Sequence, residues 1–542
     1  MKLASHFSYW QPLFSLSALL LTIPAFAQTC HGGYDTVFHN GQILTMDQAG
    51  TIASNLRVRG DEIIAIDEAG DISGPCVISV DLDGRTVIPG LIDSHTHFVR
   101  TAQAPGPFID GLERATSIAQ LQDALRLAAD RAEPGEWLAS IGGITPLQFN
   151  EQRYPTRQEL TDAVPDNPIW IQGGYLRQGM VNNEGIKELQ RAGIPVTKDG
   201  IVSNDGVGLT HVLRTRTDIR MKARFHEYMN YALSTGLTSV VDQGCCDFLG
   251  AHLTMQDRPN LRIAEELWRA GDLILRLRIQ FDHRDILEQT DLQSVSARVL
   301  NATFGLGDDY YKGVGVGERV IADEADDQEV FEAYLHVAES GWPLSQHTIR
   351  EDEIERYLGI MEKVAAQVPI RDLRWSLEHI FEITPDQIRR LKAIGGNVRV
   401  QDHDYLRNGS VAWNAGPPFK TLLESGIRMG AGTDSGVVGP LNPWQSIYYM
   451  VTGKHAGGEV IIPGEQIDRM SALRLYTAEN AWFMGEEDSL GSLEVGKLAD
   501  LVVLDQPFLE IEADRLREIR SLLTMVGGRI VHTAGPFAPL KN

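Results

Sequence analysis

Two histidines one residue apart, His95 and His97 in the stretch VIPGLIDSHTHF, stand where an apolar run ends. Side chains of an extended strand alternate between faces, so both imidazoles point one way and Thr96 the other. A pair of imidazoles on one face at a strand end can grip a metal ion, although any exposed His-x-His fits that pattern. Three more residues close other apolar runs: His347 after WPLSQ, His379 after LRWSLE and Asp434 after IRMGAGT. Singly, each reads more simply as a core histidine or a helix-capping aspartate. Gathered at one edge they make a metal centre. Imidazole and carboxylate ligands suit Zn²⁺ first, and Mn²⁺, Fe²⁺ or Ni²⁺ by the same ligand types, with one or two ions per chain. Such an ion lowers the pKa of bound water from 15.7 to about 7, which supplies hydroxide for hydrolysis at neutral pH.

Those residues converge only if the right elements carry them. Eight apolar runs read as strands: 87–97, 237–244, 275–282, 313–320, 342–347, 373–379, 396–401 and 427–434. Amphipathic stretches such as DQEVFEAYLHVAES and TPDQIRRLKAIG lie between them. Strands alternating with helices at roughly 30-residue spacing predict an α/β fold, a distorted (β/α)8 TIM barrel over residues 88–484. In that fold active sites form at the C-terminal ends of the strands, where the four histidines and Asp434 fall. Between the first two strands, residues 99–220 are too long for a simple connection and predict a lid or substrate-recognition insert. Both ends of the chain are β-like. Short runs punctuated by Asn-Gly, Arg-Gly-Asp and Asp-Gly before residue 87, and SLEVGKLADLVVLD with SLLTMVGGRIVHTAG near the end, predict antiparallel hairpins. Residues 28–87 and 485–542 are therefore expected to form one small β-sandwich domain into which the barrel is inserted.

The 542 residues carry a net charge of −24, which disfavours nucleic acid as a partner; a small-molecule substrate fits better. At the N-terminus, Lys2, an apolar stretch from Leu13 to Ile23 and Ala25-Phe26-Ala27 have the layout of a cleavable signal peptide, residues 1–27, and the apolar part is shorter than a spanning helix needs. The expectation is a periplasmic or secreted protein without membrane attachment after cleavage, open to homo-oligomerisation. Export permits disulfides. Of four cysteines, Cys30 and Cys76 are the preferred pair because both fall in the N-terminal region, while adjacent Cys245 and Cys246 read as buried small residues.

The HTH of strand one, the single histidines ending strands five and six, and the TD of strand eight resemble the amidohydrolase superfamily. The flanking text is similar to its amidohydrolase 3 branch, which includes N-substituted formamide deformylase-like enzymes: GEWL (135–138), YPTRQEL (154–160), VN (181–182), GLTSVVD (236–242), LEH (377–379), GTD (432–434) and SLEVGKLADLVVLD (492–505). The resemblance spans roughly residues 35–531. It implies a metal-dependent hydrolase of C–N bonds in which Asp434 takes the proton of the attacking water and passes it to the leaving amine. Relatives carry a carboxylated lysine at the end of strand four; GVGVGERV places Glu318 there, a carboxylate able to bridge two ions, or else to pair with a neighbouring cation. By alternation Arg319 projects to the opposite face, and Lys312 lies toward the wrong end of the strand. The resemblance then implies His95, His97 and Asp434 on one ion and His347 and His379 on the second. A histidine of the relatives' insert corresponds to Arg177, which suits an anionic substrate. Tyr175, Arg177, Asn182 and His403 are the candidate substrate contacts, each equally readable as a loop or scaffold residue. Two alternatives stay open: a catalytically silent metal- or small-molecule-binding protein on the same fold, and an esterase or lactonase using the same site.

Overall fold

The computed structural model describes Cys30 and residues 34–540, apart from residues 69, 174–177, 204–205, 245–258, 283–291, 407–415 and 437. Tyr175, Arg177, Cys245, Cys246 and the signal-like segment 1–27 lie outside the described residues.

All eight expected core strands form: β1 (Leu91–Thr96), β2 (Leu237–Asp242), β3 (Arg276–Phe281), β4 (Tyr311–Val316), β5 (Ser345–Thr348), β6 (Ser376–His379), β7 (Asn397–Gln401) and β8 (Met429–Gly432). They pair in parallel as two four-stranded sheets, ordered β4-β3-β2-β1 and β5-β6-β7-β8. A parallel bridge between Val316 and Leu344 joins the sheets on one side. On the other, Ser94 Oγ donates to the Ala431 carbonyl at 2.9 Å, the Asp434 amide donates to the His95 carbonyl at 2.8 Å, and Asn480 Nδ2 donates to both Ile92 and Ala431 carbonyls. This approach requires glycine at 432, because a Cβ there would stand 2.6 Å from the backbone nitrogen of His95.

Between strands, helices form where the amphipathic text predicts them, for example Asp327–Glu339 and Pro385–Ala393. Thr384 opens the second: its hydroxyl accepts from the Gln387 amide while the Gln387 side chain accepts from the Thr384 amide, a reciprocal cap that fixes the helix start just beyond β6. The buried faces of these helices and the outer faces of the strands share one apolar cluster that includes Phe225, Leu277, Tyr334, Leu358, Leu377 and Trp444.

The run 87–97 is not one strand. Thr86–Pro89 belongs to a six-stranded sheet of chain-terminal segments, whose order is 529–533, 521–526, 501–504, 86–89, 42–44 and 52–53, and only after Gly90 does the chain enter β1. Gly90 has no room for a side chain, since a Cβ would lie 2.1 Å from Thr238 Oγ1. A four-stranded sheet, 62–66, 56–59, 35–39 and 77–81, packs against the six-stranded one through Phe38, Leu56, Val87, Leu501 and Leu523. The hairpin expectation holds for Arg59-Gly60-Asp61, where Leu56–Arg59 returns antiparallel as Glu62–Ile66. It fails at Asn40-Gly41 and Asp83-Gly84. There the chain crosses from one terminal sheet to the other, and Asp35–His39 instead pairs in parallel with Val77–Asp81. Turn chemistry reverses a chain equally well within a sheet or between sheets; burial of both inner faces selects the second. Cys30 and Cys76 form a disulfide with Cα atoms 5.7 Å apart.

The long segment after β1 folds on its own sheet, ordered 201–202, 179–181, 169–172 and 138–141. Alternation along Ile169–Gln172 sends Ile169 and Ile171 to one apolar cluster with Leu121, Leu125 and Phe149, and Trp170 to another with Trp137, Leu189 and Val212. Its residues Phe108, Ile109, Leu112, Glu113 and 140–144 meet Gly436, Gly439, Pro440 and Leu441, beyond β8, around a cavity of about 60 Å³. Among the described residues, no helix is long and apolar enough to cross a membrane.

Candidate metal centre

β1 carries His95, and His97 follows its last residue as the N-cap of the helix Phe98–Ala102; both are buried. His347 lies within β5, and the remaining three residues depart from regular strand geometry. His379, at the end of β6, has φ +65°, and Asp434, two residues past β8, has φ +48°. Side chains rarely tolerate this region, and its use at a buried polar cluster is the kind of local strain that functional sites carry. β4 stops at Val316, and Glu318 follows Gly317, whose φ is +148°.

These residues converge. His95, His97 and Glu318 place ligand atoms within 4.8 Å of one another, as do His95, His379 and Asp434, and Glu318, His347 and His379. Glu318 Oε2 lies 2.7 Å from His347 Nδ1 and 3.2 Å from His379 Nε2, and Oε1 lies 3.7 Å from His97 Nε2. Glu318 therefore touches both halves of the cluster. Asp434 Oδ1 stands 3.2 Å from His97 Nε2 and 3.7 Å from His95 Nε2. Six of the sequence-chosen residues thus share one pocket. The groups overlap: Asp434 stands with His95 and His379, and its Oδ1 is also in reach of His97.

The electrostatics suit a cation. Burial disfavours the His95 imidazolium, yet the hydrogen bond it donates to Glu378 and the charges of Asp434, Glu378 and Glu318 outweigh it and raise its pKa to about 9. Burial lowers His97 to about 4 and His347 to about 3, so both are neutral and able to ligate at neutral pH. Burial would raise Glu318 and Asp434. For Glu318 the contact with His347 and the charge of Arg319, and for Asp434 the contacts with His403 and His97, reverse this and hold each well below the usual carboxylate range. Among the described residues, the buried His95 Nε2 and Asp434 Oδ1 have no hydrogen-bond partner. Their 3.7 Å separation is one that two ligands can span across an ion bound at roughly 2.0–2.2 Å. The donor set therefore fits a divalent metal.

Two expectations change. Arg319 does not point away: with the strand ended at Val316, alternation no longer applies, and its guanidinium donates to Glu318 Oε1 at 3.0 Å and to Asp323. Asn182 is no substrate contact. It is fully buried as the cap of helix Asn183–Arg191; its Oδ1 accepts from the Gly185 and Ile169 amides, and its Nδ2 donates to the Val164 and Asn167 carbonyls. Asn182→Ala should cost about 1–3 kcal/mol of stability by orphaning these groups, seen as a lower thermal midpoint, with KM unchanged. His403, expected to meet substrate, bonds Asp434 Oδ2 through Nε2 at 2.6 Å and so stands beside the cluster. Lys312 lies at the far end of β4, as expected, and donates to Glu486.

Sequence reasoning missed the groups behind the ligands. Asp93 accepts from the His95 amide and from the Thr433 amide and hydroxyl, tying β1 to the turn that carries Asp434. Gln401 accepts from the His379 amide at 2.9 Å and steadies its unusual backbone. Glu378 accepts from His95 Nδ1. The available signal was the density of polar residues at alternate positions of apolar strands, such as Ser376 with Glu378 and Arg399 with Gln401.

Known proteins carry this arrangement further. A family model described as the amidohydrolase family matches residues 79–532. The chain belongs to that family. This amidohydrolase is 23% identical to an N-substituted formamide deformylase from Arthrobacter pascens, over 91% of this chain and 97% of that protein. It is 22% identical to the putative amidohydrolase YtcJ of Bacillus subtilis, over 92% and 99%. An uncharacterized metal-dependent hydrolase from Pyrococcus horikoshii matches the amidohydrolase chain with a TM-score of 0.60 and 20% identity, covering 88% of this chain and 99% of that one. A mutant of atrazine chlorohydrolase TrzN from Arthrobacter aurescens, complexed with zinc and atraton, matches with a TM-score of 0.52 and 18% identity, covering 92% and 95%.

Proposed function

We propose that this amidohydrolase is an exported, metal-dependent enzyme that cleaves a non-peptide C–N bond, in an amide, N-formyl amine or cyclic amide of a small molecule. The observation that carries the reading is the convergence of four imidazoles and two carboxylates, with His95 Nε2 and Asp434 Oδ1 buried and without hydrogen bonds. Supporting it at the level of the fold, the two four-stranded sheets read as a distorted (β/α)8 barrel, the two terminal sheets as its companion sandwich, and the segment 99–220 as a substrate-recognition insert. The names of the relatives favour C–N chemistry. The signal-like N-terminus and the disulfide at Cys30 support export.

His95, His97, Glu318, His347, His379 and Asp434 would hold one or two ions, Zn²⁺ first by donor type. When bound, the metal supplies an acidified water and polarises the scissile carbonyl. Asp434 is placed to handle the proton: Oδ2 is engaged by His403 Nε2–H, which fixes the carboxyl and leaves Oδ1 directed at the imidazoles. Oδ1 accepts the proton of the attacking water and returns it to the leaving amine, so the amine departs neutral. His403, held below its ordinary pKa by burial, stays a neutral donor through this cycle.

The test is metal analysis with turnover on a panel of N-acyl and N-formyl amines. Wild type should bind close to two equivalents of Zn²⁺, Glu318→Ala fewer, and His95→Ala should lose both metal and activity. Full occupancy in His95→Ala would contradict its role as a ligand. One observation favours the silent-binder alternative: Arg319 occupies Glu318 Oε1 and could stand in for a cation there. Metal binding without Asp434-dependent turnover on any amide or ester would establish that alternative.

A further inference from the structure

We propose that Glu378 is a positioning residue that sets the tautomer and aim of His95 toward the metal, an inference resting on the metal-centre reading above. Glu378 sits on β6 immediately before His379 and is fully buried. Its Oε2 accepts from His95 Nδ1 at 2.8 Å, and its Oε1 accepts from the Ser376 hydroxyl at 2.8 Å. Gln401 Nε2 lies 3.4 Å from Oε2, and Arg399 Nε lies 3.7 Å from Oε1. Arg399 in turn donates to the Ser94 carbonyl, the residue before His95. The carboxylate is thus held from three sides and presents one oxygen to the imidazole.

An ionised carboxylate only accepts, so the ring nitrogen facing it carries the proton. Nε2 is then the atom that would give its lone pair to a metal, the ion taking the place of the proton that the surrounding carboxylates favour there. That atom is the one buried without a hydrogen bond, 3.7 Å from both Glu318 Oε2 and Asp434 Oδ1. His95 belongs to two of the three ligand triads, so its orientation bears on both parts of the centre. No other imidazole of the cluster is held this way among the described residues. His97 Nδ1 meets only the Gly244 carbonyl, at 3.3 Å, while His347 Nδ1 and His379 Nε2 face Glu318, itself a candidate ligand. A carboxylate behind a ligating imidazole fixes the tautomer and raises ligand basicity, and losing such a partner weakens metal affinity by roughly 10–100-fold.

The experiment is a Zn²⁺ competition titration against a chromophoric chelator on the metal-stripped full chain, for wild type, Glu378→Gln and Glu378→Asp. The glutamine variant keeps size and an acceptor but removes the charge. The aspartate variant keeps a counter-charge for Arg399 while drawing the oxygen back from His95. Both should bind Zn²⁺ about 10–100-fold more weakly, with the melting temperature of metal-free Glu378→Asp close to wild type. Should the glutamine variant fail to fold with Arg399 unpaired, the aspartate variant decides. Wild-type affinity in a folded variant would overturn the proposal and leave the metal centre standing. Absence of Zn²⁺ binding by wild type would overturn both.

Discussion

Replacing Asp434 by asparagine is expected to lower kcat by about 10²–10⁴-fold, the usual contribution of a positioned acid–base group, while most of the metal stays bound. Asparagine retains the shape of the side chain and an oxygen that can accept from His403 Nε2. It cannot take a proton from water and hand it to an amine. The imidazoles and Glu318 remain to hold the ion, so activity and occupancy should separate. Steady-state kinetics beside metal analysis of the same preparation checks this. Loss of metal in parallel with activity would make Asp434 chiefly a ligand, and undiminished turnover would remove it from the chemistry altogether.

The largest stability effect is expected far from the pocket, at Arg276 and Asp500. Arg276 opens β3 and Asp500 directly precedes the terminal-sheet strand Leu501–Leu504. Their side chains are 1% and 5% exposed, and two parallel hydrogen bonds of 2.8 Å join them. The Gly527 amide adds a third bond to Asp500, and Arg276 also donates to the Asp309 carbonyl. Asp500→Ala strands a guanidinium in a buried site and should cost about 3–5 kcal/mol. The double change Arg276→Met with Asp500→Leu should cost much less, because no charge is then left unpaired. Urea midpoints for the three proteins decide the matter; a loss below about 1 kcal/mol in the single variant would show that water reaches Arg276.

The comparison of residues with coordinates separates what periodicity carries from what it cannot. Eight strands were legible because each is an apolar run of strand length between helical patterns, and His95 with His97 because the pair sits where the first of these runs ends. Strand alternation misplaced Arg319, since regular extension ends two residues before Glu318. It would also turn His379 away from Glu378. Only the positive φ of His379 lets consecutive residues of β6 serve the same centre, and no single-sequence pattern announces a histidine in that conformation. Asn182 was misread because a buried helix cap and a ligand-binding amide have the same composition; what distinguishes them is four backbone partners contributed by separate segments. Glu378 lay inside the quoted LEH, but its partner is 283 residues away.

Thr86–Pro89 pairs with Gln42–Leu44 on one edge and with Leu501–Leu504 on the other, and a single glycine later the chain becomes the strand that bears His95. In the folding chain the first edge is covered by a segment close in sequence. The second waits for residues made more than four hundred positions later. The first two imidazoles of the candidate centre therefore stand on a half-supported strand until the C-terminal segment has docked, and assembly of that pocket becomes one of the last events in the protein's maturation.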